Sequence, residues 1–85
     1  MDPKAAFDEA QERVKQLPAQ PPKVLLDLYG LYKQAIEGDV KGARPGMLDI
    51  RGRAKYDAWA FIKGMSESEA MVAYSEYVTR LEGNT

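Results

Sequence analysis

The chain has 85 residues, a net charge of −1, no cysteine and no histidine. This length allows one domain at most. The lack of cysteine excludes disulfides and thiolate metal sites. The lack of histidine removes the commonest general base and the commonest metal ligand, which argues against nucleophilic triads and zinc sites. The slightly negative net charge argues against a nucleic-acid-binding protein, because such domains are usually strongly basic.

Neither end of the sequence carries a targeting signal. The N-terminal residues MDPKAAFDEAQERV lack the basic start and apolar core of a secretory signal peptide. The C-terminal residues RLEGNT match no lipidation or retention motif. No apolar run approaches the ~20 residues that a membrane-spanning helix needs. We therefore expect a cytoplasmic protein with no integral membrane association.

Apolar residues recur at helical spacing in four stretches, which predicts four helices. In chain order they span about 3–17, 21–37, 51–62 and 66–82. Asp2 and Pro3 are residue types favoured at an N-cap and in a first helical turn. Ser66 and Glu69 have the spacing of a capping box at the start of the fourth helix. The predicted fold class is all-α, with a single domain over residues 1–85.

The second predicted helix carries two apolar stripes. The first stripe faces the predicted core and consists of Val24, Leu28, Leu31 and Ala35. The second stripe lies beside it and consists of Leu25, Tyr29, Tyr32 and Ile36, with Lys33 at its margin. Because a helix packed against a single core needs only one stripe, the second stripe indicates the wall of a groove.

The stretch 33–55 is basic within an otherwise acidic chain. It carries six basic and three acidic residues, a net charge of +3, whereas the remainder carries six basic and ten acidic residues, a net charge of −4. Part of it, 38–50, is irregular, and we expect Met47, Leu48 and Ile50 to anchor this long loop in an ordered conformation. A positive patch beside tyrosine rings suits a multiply phosphorylated ligand with a ring that can stack.

Four segments of the sequence resemble the acyl-CoA-binding protein family. They read YKQAIEGD at 32–39, RPGMLDIRGRAKYDAW at 44–59, KG-x-S-x-x-x-AM-x-AY at 63–74, and F-x-x-A-x-x-x-V-K-x-L at 7–17. The resemblance covers nearly the whole chain, and its central motif is long and specific.

This resemblance implies a four-helix bundle of up-down-down-up topology that binds long-chain acyl-CoA esters and carries them in the cytosol without catalysis. It implies a monomer with no cofactor beyond this ligand, which makes only transient contacts with enzymes that use acyl-CoA. The implied contacts of the CoA head group are Tyr29, Tyr32, Lys33, Lys55 and Tyr74. The resemblance also places Lys15 near the nucleotide. We expect Leu25, from the second stripe, to contact the acyl chain.

The sequence departs from the family pattern at a few places. Tyr56 stands where the family has tryptophan, and Arg51 and Arg53 stand where it has lysines, so aromatic and cationic character is kept. Gln11 stands where alanine is common, and the proline-rich segment 18–24 is one residue shorter than usual. Because the last two changes lie near the mouth of the implied acyl channel, they bear on chain-length preference and not on ligand class.

The same residues also have interpretations that involve no ligand. On spacing alone, Tyr29 and Tyr32 suit the boundary of a core, Lys33 and Lys55 suit a solvated surface, and Tyr74 suits a core position. The alternative function is therefore a small helical protein–protein interaction module, which needs no phosphate site. No pair of acidic residues has an identifiable acid/base role, so we expect no enzyme.

Overall fold

A computed structural model describes residues 2–83 and contains four α-helices in this range. Helix α1 spans Pro3–Val14, α2 spans Pro22–Glu37, α3 spans Ile50–Ala60 and α4 spans Glu67–Gly83. No strand occurs among residues 2–83, so the predicted all-α class is confirmed. Within the same residues, every helix is too short or too polar to cross a membrane.

Side-chain caps fix where three of the helices begin. The carboxylate of Asp2 accepts a hydrogen bond of 2.8 Å from a first-turn N–H of α1, and Asp49 accepts one of 3.0 Å in α3. Ser66 and Glu69 form the predicted capping box at α4, with reciprocal bonds of 2.9 and 3.0 Å. Helix α2 begins without a side-chain cap and has Pro22 in its first turn, where the missing N–H of proline leaves no donor unsatisfied.

Two helices end earlier than the spacing predicted. Helix α1 stops at Val14 and not near residue 17, and α3 stops at Ala60 and not near residue 62. Beyond each end the backbone tightens, because N–H groups there donate to carbonyls three residues back. These N–H groups belong to Gln16, Leu17, Ile62 and Lys63.

The contacts between helices give their relative directions. Helix α4 packs against α1 and α2, and α3 packs against α2. Helices α1 and α4 run parallel, α2 runs antiparallel to α4, and α3 runs parallel to α2, which is the up-down-down-up order that the family resemblance implied. The contacts that fix these directions are Phe7–Tyr74, Arg13–Thr79, Asp27–Tyr77, Gln34–Met65, Tyr29–Lys55 and Lys33–Trp59.

The core lies where α1, α2 and α4 meet. Three of the four residues in the predicted core stripe of α2 are buried, and Val24 packs against them partly exposed. The buried core residues are Phe7, Ala10, Leu28, Leu31, Ala35, Ala70, Tyr74 and Val78. Since burial of a large apolar side chain stabilises a fold by about 1.5–3 kcal/mol, this cluster holds α2 in place as the central helix.

Helices α2 and α3 approach each other unusually closely at Gly30. A Cβ atom at this position would lie 2.5 Å from the backbone oxygen of Ala58. Only a residue without a side chain fits such a gap. The close contact brings the side chains that flank Gly30 on α2 against those that flank Ala58 on α3.

A buried polar network joins the end of α2 to the start of α4. The side chain of Gln34 is fully buried, and its Nε2 donates to the carboxylate of Asp39 (2.8 Å) and to the carbonyl of Met65 (2.7 Å). Asp39 also accepts a hydrogen bond of 2.8 Å from the N–H of Gly64. The bond from Gly64, and then the bond from Gln34, lower the pKa of Asp39.

The loop between α2 and α3 is held by polar contacts, and the expectation that its apolar residues anchor it is wrong. Met47, Leu48 and Ile50 are 78%, 100% and 76% exposed. The loop is fastened instead by a bidentate pair from Arg44 to Asp57, with distances of 2.9 and 2.7 Å. Two bonds to backbone carbonyls complete the attachment, from Tyr56 to Gly42 (3.0 Å) and from Trp59 to Gly38 (2.8 Å).

Candidate functional site

The second stripe of α2 forms an open face that we call the aromatic face, made of Leu25, Tyr29, Tyr32 and Ile36. Leu25 is 54% exposed, Ile36 is 44% exposed, and Tyr32 is 36% exposed. Tyr29 is half-buried. Because the core stripe already packs against α4, this face is left exposed to solvent, and the groove along it stays a prediction.

Two ammonium groups lie along the seam between α2 and α3. Nζ of Lys55, on α3, lies 5.4 Å from the ring centroid of Tyr29 on α2. Nζ of Lys33, on α2, lies 4.9 Å from the ring of Trp59 on α3. These are cation–π distances. The two contacts are one helical turn apart on each helix, so the seam carries two positive charges beside the aromatic face.

The ammonium of Lys33 has a second partner, Glu37, on its own helix. Lys33 forms an ion pair with Glu37, one turn further along α2. The hydrogen bond to Glu37 is the main reason that the pKa of Lys33 lies above its usual value, and the same bond lowers the pKa of Glu37. Lys33 is therefore held protonated, and an anionic ligand must compete with Glu37 for it.

Phe7 joins Tyr32 of the aromatic face to Tyr74 of the core. Its ring packs edge-on against Tyr74, with centroids 5.1 Å apart and planes at 82°. It also packs against Tyr32, with centroids 6.1 Å apart and planes at 34°. Tyr74 is buried, and burial followed by the charge of Tyr32 raises its pKa. Tyr74 thus occupies a core position that borders the aromatic face.

Lys15 belongs to the end of α1, whereas the two seam lysines belong to α2 and α3. It is the C-cap residue of α1 and pairs with Glu12 at 2.8 Å, with both side chains more than half exposed. The structure therefore brings together Tyr29, Tyr32, Lys33 and Lys55, with Leu25 on the same face of α2. The contact of Lys15 is with Glu12 of its own helix.

Sequence reasoning missed Glu37, Gly30 and Gln34. The spacing of Lys33 and Glu37, four residues apart, is a readable signal for an ion pair on one helix face. From the sequence, Gly30 is only an unfavourable residue inside a helix. The structure shows why glycine is needed there, because the backbone of Ala58 leaves no room for a Cβ atom. The partners of Gln34 lie 5 and 31 residues away in sequence, which no local pattern indicates.

An apolar hollow lies between α2, α3 and α4, on another side of α2. Its volume is about 530 Å³. Asp27 and Leu31 line it, and at 100° per residue both project away from Tyr29. Its other lining residues are Lys23, Leu26, Ala54, Asp57, Ala58, Phe61, Ile62 and Tyr77.

The arrangement of charges and rings is suited to binding. Two ammonium groups can attract phosphate oxygens as point charges. Exposed tyrosine can stack against a planar ring, and its hydroxyl can bond to a phosphate. Leu25 and Ile36 offer apolar surface on the same face. Among residues 2–83, no group of three or more acidic side chains is placed to hold a metal ion.

Comparisons with known proteins agree on one family. A family model described as Acyl CoA binding protein matches residues 4–78. The chain is 49% identical over 80 residues to an acyl-CoA-binding protein of Brassica napus, an alignment that covers 93% of this chain and 84% of the relative.

Solved structures give the same result. The crystal structure of Oryza sativa Acyl-CoA-Binding Protein 2 superposes with a TM-score of 0.92 at 40% identity, covering 96% of this chain and 92% of that one. The crystal structure of ACBP from Moniliophthora perniciosa gives a TM-score of 0.88 at 37% identity, covering 95% and 81%. The solution structure of the acyl CoA binding protein from Babesia bovis gives 0.79 at 31% identity, covering 99% and 97%.

Proposed function

The chain belongs to the acyl-CoA-binding protein family, and on that premise we propose that it binds long-chain acyl-CoA esters at the aromatic face and the α2–α3 seam. The observation that carries this proposal is the position of Lys33 and Lys55, whose ammonium groups lie over rings at 4.9 and 5.4 Å on the same seam. A multiply phosphorylated head group meets two cations there, with tyrosine rings beside them.

Different residues of the site bind different parts of the ligand. Lys33 and Lys55 bind phosphate oxygens, and Tyr32, exposed and backed by Phe7, stacks on the adenine. Leu25 takes part of the acyl chain, because it is exposed on the same face. Tyr74, in the core, and Lys15, at the end of α1, contact the edge of the nucleotide.

We further propose that the protein acts as a cytoplasmic carrier and pool former for acyl-CoA, as one domain over residues 1–85 and as a monomer. It takes no part in chemistry on the ester and needs no cofactor. Enzymes that use acyl-CoA contact it transiently to receive the ligand. The support for the binding role is the site itself, where the charges and rings suit recognition.

Isothermal titration calorimetry tests the binding proposal with three ligands: palmitoyl-CoA, free CoA and palmitate. Free CoA lacks the acyl chain and palmitate lacks the phosphates, so we expect each to bind far more weakly than the ester. Equal affinity for palmitate and palmitoyl-CoA would show that the two lysines do not act on phosphate. Absence of heat with all three ligands would favour a protein–protein interaction module.

A further inference from the structure

Trp59 is the one buried residue of α3, and it makes two specific contacts with α2. Its ring faces the ammonium of Lys33, with Nζ 4.9 Å from the ring centroid. Its indole N–H donates a hydrogen bond of 2.8 Å to the carbonyl of Gly38, the C-cap residue of α2. An apolar anchor for α3 requires neither contact, so the two together indicate a role beyond packing.

The orientation of the indole ring is fixed before any ligand binds. Trp59 is only 7% exposed, so close packing restrains the body of its ring. The hydrogen bond to Gly38 restrains the edge of the ring. Gly38 is itself held, because its N–H donates to the carbonyl of Gln34 at 3.0 Å and its φ of 77° is one that glycine adopts without strain. Lys33 therefore lies against a rigid ring face.

Lys33 is held more firmly than other lysines of the chain. Its side chain is 22% exposed, whereas the side chains of Lys4 and Lys23, which also form ion pairs one turn away, are 65% and 81% exposed. A lysine has a flexible four-carbon stem, and ordering such a side chain on binding weakens affinity. Contact with the ring of Trp59 orders Lys33 in advance.

Trp59 and Glu37 should act on Lys33 in opposite ways. The carboxylate of Glu37 takes up a hydrogen bond from the ammonium, and a phosphate has to replace it. The indole is neutral and contacts the cation through its ring face, so it occupies none of the three N–H donors of the ammonium. The contact with Trp59 can therefore persist while Lys33 binds a phosphate oxygen.

We propose that Trp59 is a positioning residue for the ligand site, which holds the ammonium of Lys33 in place for a phosphate oxygen without touching the ligand itself. This inference rests on the proposed function and adds to it a buried residue that acts through Lys33. It also gives the indole hydrogen bond to Gly38 a purpose, because that bond sets the angle of the ring beneath the ammonium.

Calorimetry with palmitoyl-CoA tests the proposal on two variants of Trp59. Trp59→Met removes the ring and the hydrogen bond but keeps an apolar side chain that fills irregular gaps. It should weaken binding about threefold to tenfold. Trp59→Phe keeps a ring face for the ammonium and should recover most of that loss.

Double variants separate positioning of Lys33 from a general disturbance of α3. In a Lys33→Gln background, Trp59→Met should weaken binding by less than about twofold, because no ammonium remains to be held. In a Lys55→Gln background the full loss of about threefold to tenfold should persist. A residue that merely supports α3 would give the same loss in all three backgrounds.

Nuclear magnetic resonance provides a readout that needs no ligand. The Cε protons of Lys33 should resonate upfield in the unmodified chain and in Trp59→Phe, because they lie over a ring, and should lose this shift in Trp59→Met. Tyr56→Phe is the matched control, since it also removes a hydrogen bond from an α3 side chain to a loop carbonyl, that of Gly42. It should bind the ester like the unmodified chain, and circular dichroism checks that each variant is folded.

The proposal is overturned if Trp59→Met weakens binding equally with and without Lys33, or leaves affinity unchanged. An unshifted Lys33 resonance in the unmodified chain would also overturn it, even if Trp59→Met did not fold. Failure of the unmodified chain to bind palmitoyl-CoA would overturn the proposed function together with this inference. Failure of the double-variant test in a chain that does bind the ester would overturn this inference alone.

Discussion

At the scale of residues, Glu37 sets the conditions under which Lys33 meets a ligand. The ion pair is exposed enough to exchange, with side chains 22% and 37% exposed, and such pairs contribute little to folding. Glu37 instead places a negative charge where a phosphate is proposed to bind. The same carboxylate that keeps Lys33 protonated therefore opposes the ligand.

Replacement of Glu37 tests this opposition. Glu37→Gln removes one negative charge and releases Lys33, so palmitoyl-CoA should bind roughly threefold more tightly, a modest gain because the pair is solvent-screened. Titration calorimetry measures the change. Asp8→Asn is the control, because Asp8 pairs with Lys4 in the same i,i+4 manner at 2.6 Å, and it should leave affinity unchanged. Weaker binding by Glu37→Gln would show that Glu37 positions Lys33 productively.

The two seam lysines should each carry a measurable share of affinity. Hydrogen bonds to charged groups contribute about 1.5–3 kcal/mol, so Lys33→Ala and Lys55→Ala should each weaken palmitoyl-CoA binding by roughly one to two orders of magnitude. Melting should change little, because neither residue belongs to the core. Lys4→Ala, on the exposed side of α1, is the control. Two folded lysine variants with unchanged affinity would contradict the proposed phosphate site.

At the scale of elements, α2 is fixed from two sides, by α4 through apolar packing and by α3 through the close approach at Gly30. The bond from Tyr77 to Asp27, at 2.7 Å, adds a polar link between α4 and α2. Burial raises the pKa of Asp27, but hydrogen bonds from Lys23 and Tyr77 outweigh it and leave the pKa lowered. The geometry of the site thus depends on contacts remote from any ligand.

Gly30→Ala should destabilise the protein although alanine is the better helix former. The helix propensity gain is about 1 kcal/mol. The new Cβ would lie 2.5 Å from the backbone oxygen of Ala58, and overpacking of this kind costs about 1–3 kcal/mol or more. Because the clash is with backbone atoms, the cost lies towards its upper end, and we expect a net loss of about 1–2 kcal/mol, with weaker acyl-CoA binding as α3 shifts. Urea unfolding measures the loss.

Gly46→Ala is the matched control for that substitution, since a Cβ atom there meets nothing within 4 Å. Its effect on unfolding should be small. If Gly30→Ala were instead as stable as the unmodified chain or more so, the close approach of α2 and α3 would be looser than the distance to Ala58 indicates.

The hydrogen bond from Tyr77 to Asp27 makes the free energy of unfolding depend on pH in the alkaline range. Burial, followed by the hydrogen bond to Asp27, raises the pKa of Tyr77 to about 12, above the value of about 10 in an unfolded chain. Because the folded state holds this proton more tightly, its contribution is full below pH ~10 and is lost as pH rises towards ~12. Water screening keeps it to about 1 kcal/mol. Urea unfolding of Tyr77→Phe should show less loss over this range, and identical losses would contradict the assignment.

At the scale of the whole molecule, the sequence was sufficient for features that arise locally. Helix positions, the caps at Asp2, Ser66 and Glu69, and the separation of core and aromatic stripes depend on residues a few positions apart. The family motif assigned Tyr29 and Lys55 to one ligand, which stays a prediction, but it did not indicate that the ammonium of Lys55 lies 5.4 Å from the ring of Tyr29. The ion pair between Lys33 and Glu37 was not predicted, although the two residues are four apart on one helix.

One error concerns residues that are distant in sequence, and another concerns helix ends. The loop before α3 contains apolar residues, so hydropathy indicated that these would bury and anchor it. The loop is attached instead by the ion pair between Arg44 and Asp57, which are 13 residues apart. A hydropathy pattern carries no information about such an ion pair. The helix ends after Val14 and Ala60 were overestimated because apolar spacing continues where the backbone has already tightened.

Because α3 rests on α2 alone among the described helices, the structure also bears on how quickly a ligand leaves. Elements with few buried contacts open locally at the lowest free energy, and Trp59 is the one buried residue of α3. Each opening carries Lys55 away from Tyr29, so the lifetime of the bound ester should follow the opening rate of α3. Hydrogen–deuterium exchange should show α3 amides exchanging before those of α4, and slowing when palmitoyl-CoA is bound. Equally slow exchange in both helices would show that local opening of α3 does not control ligand release.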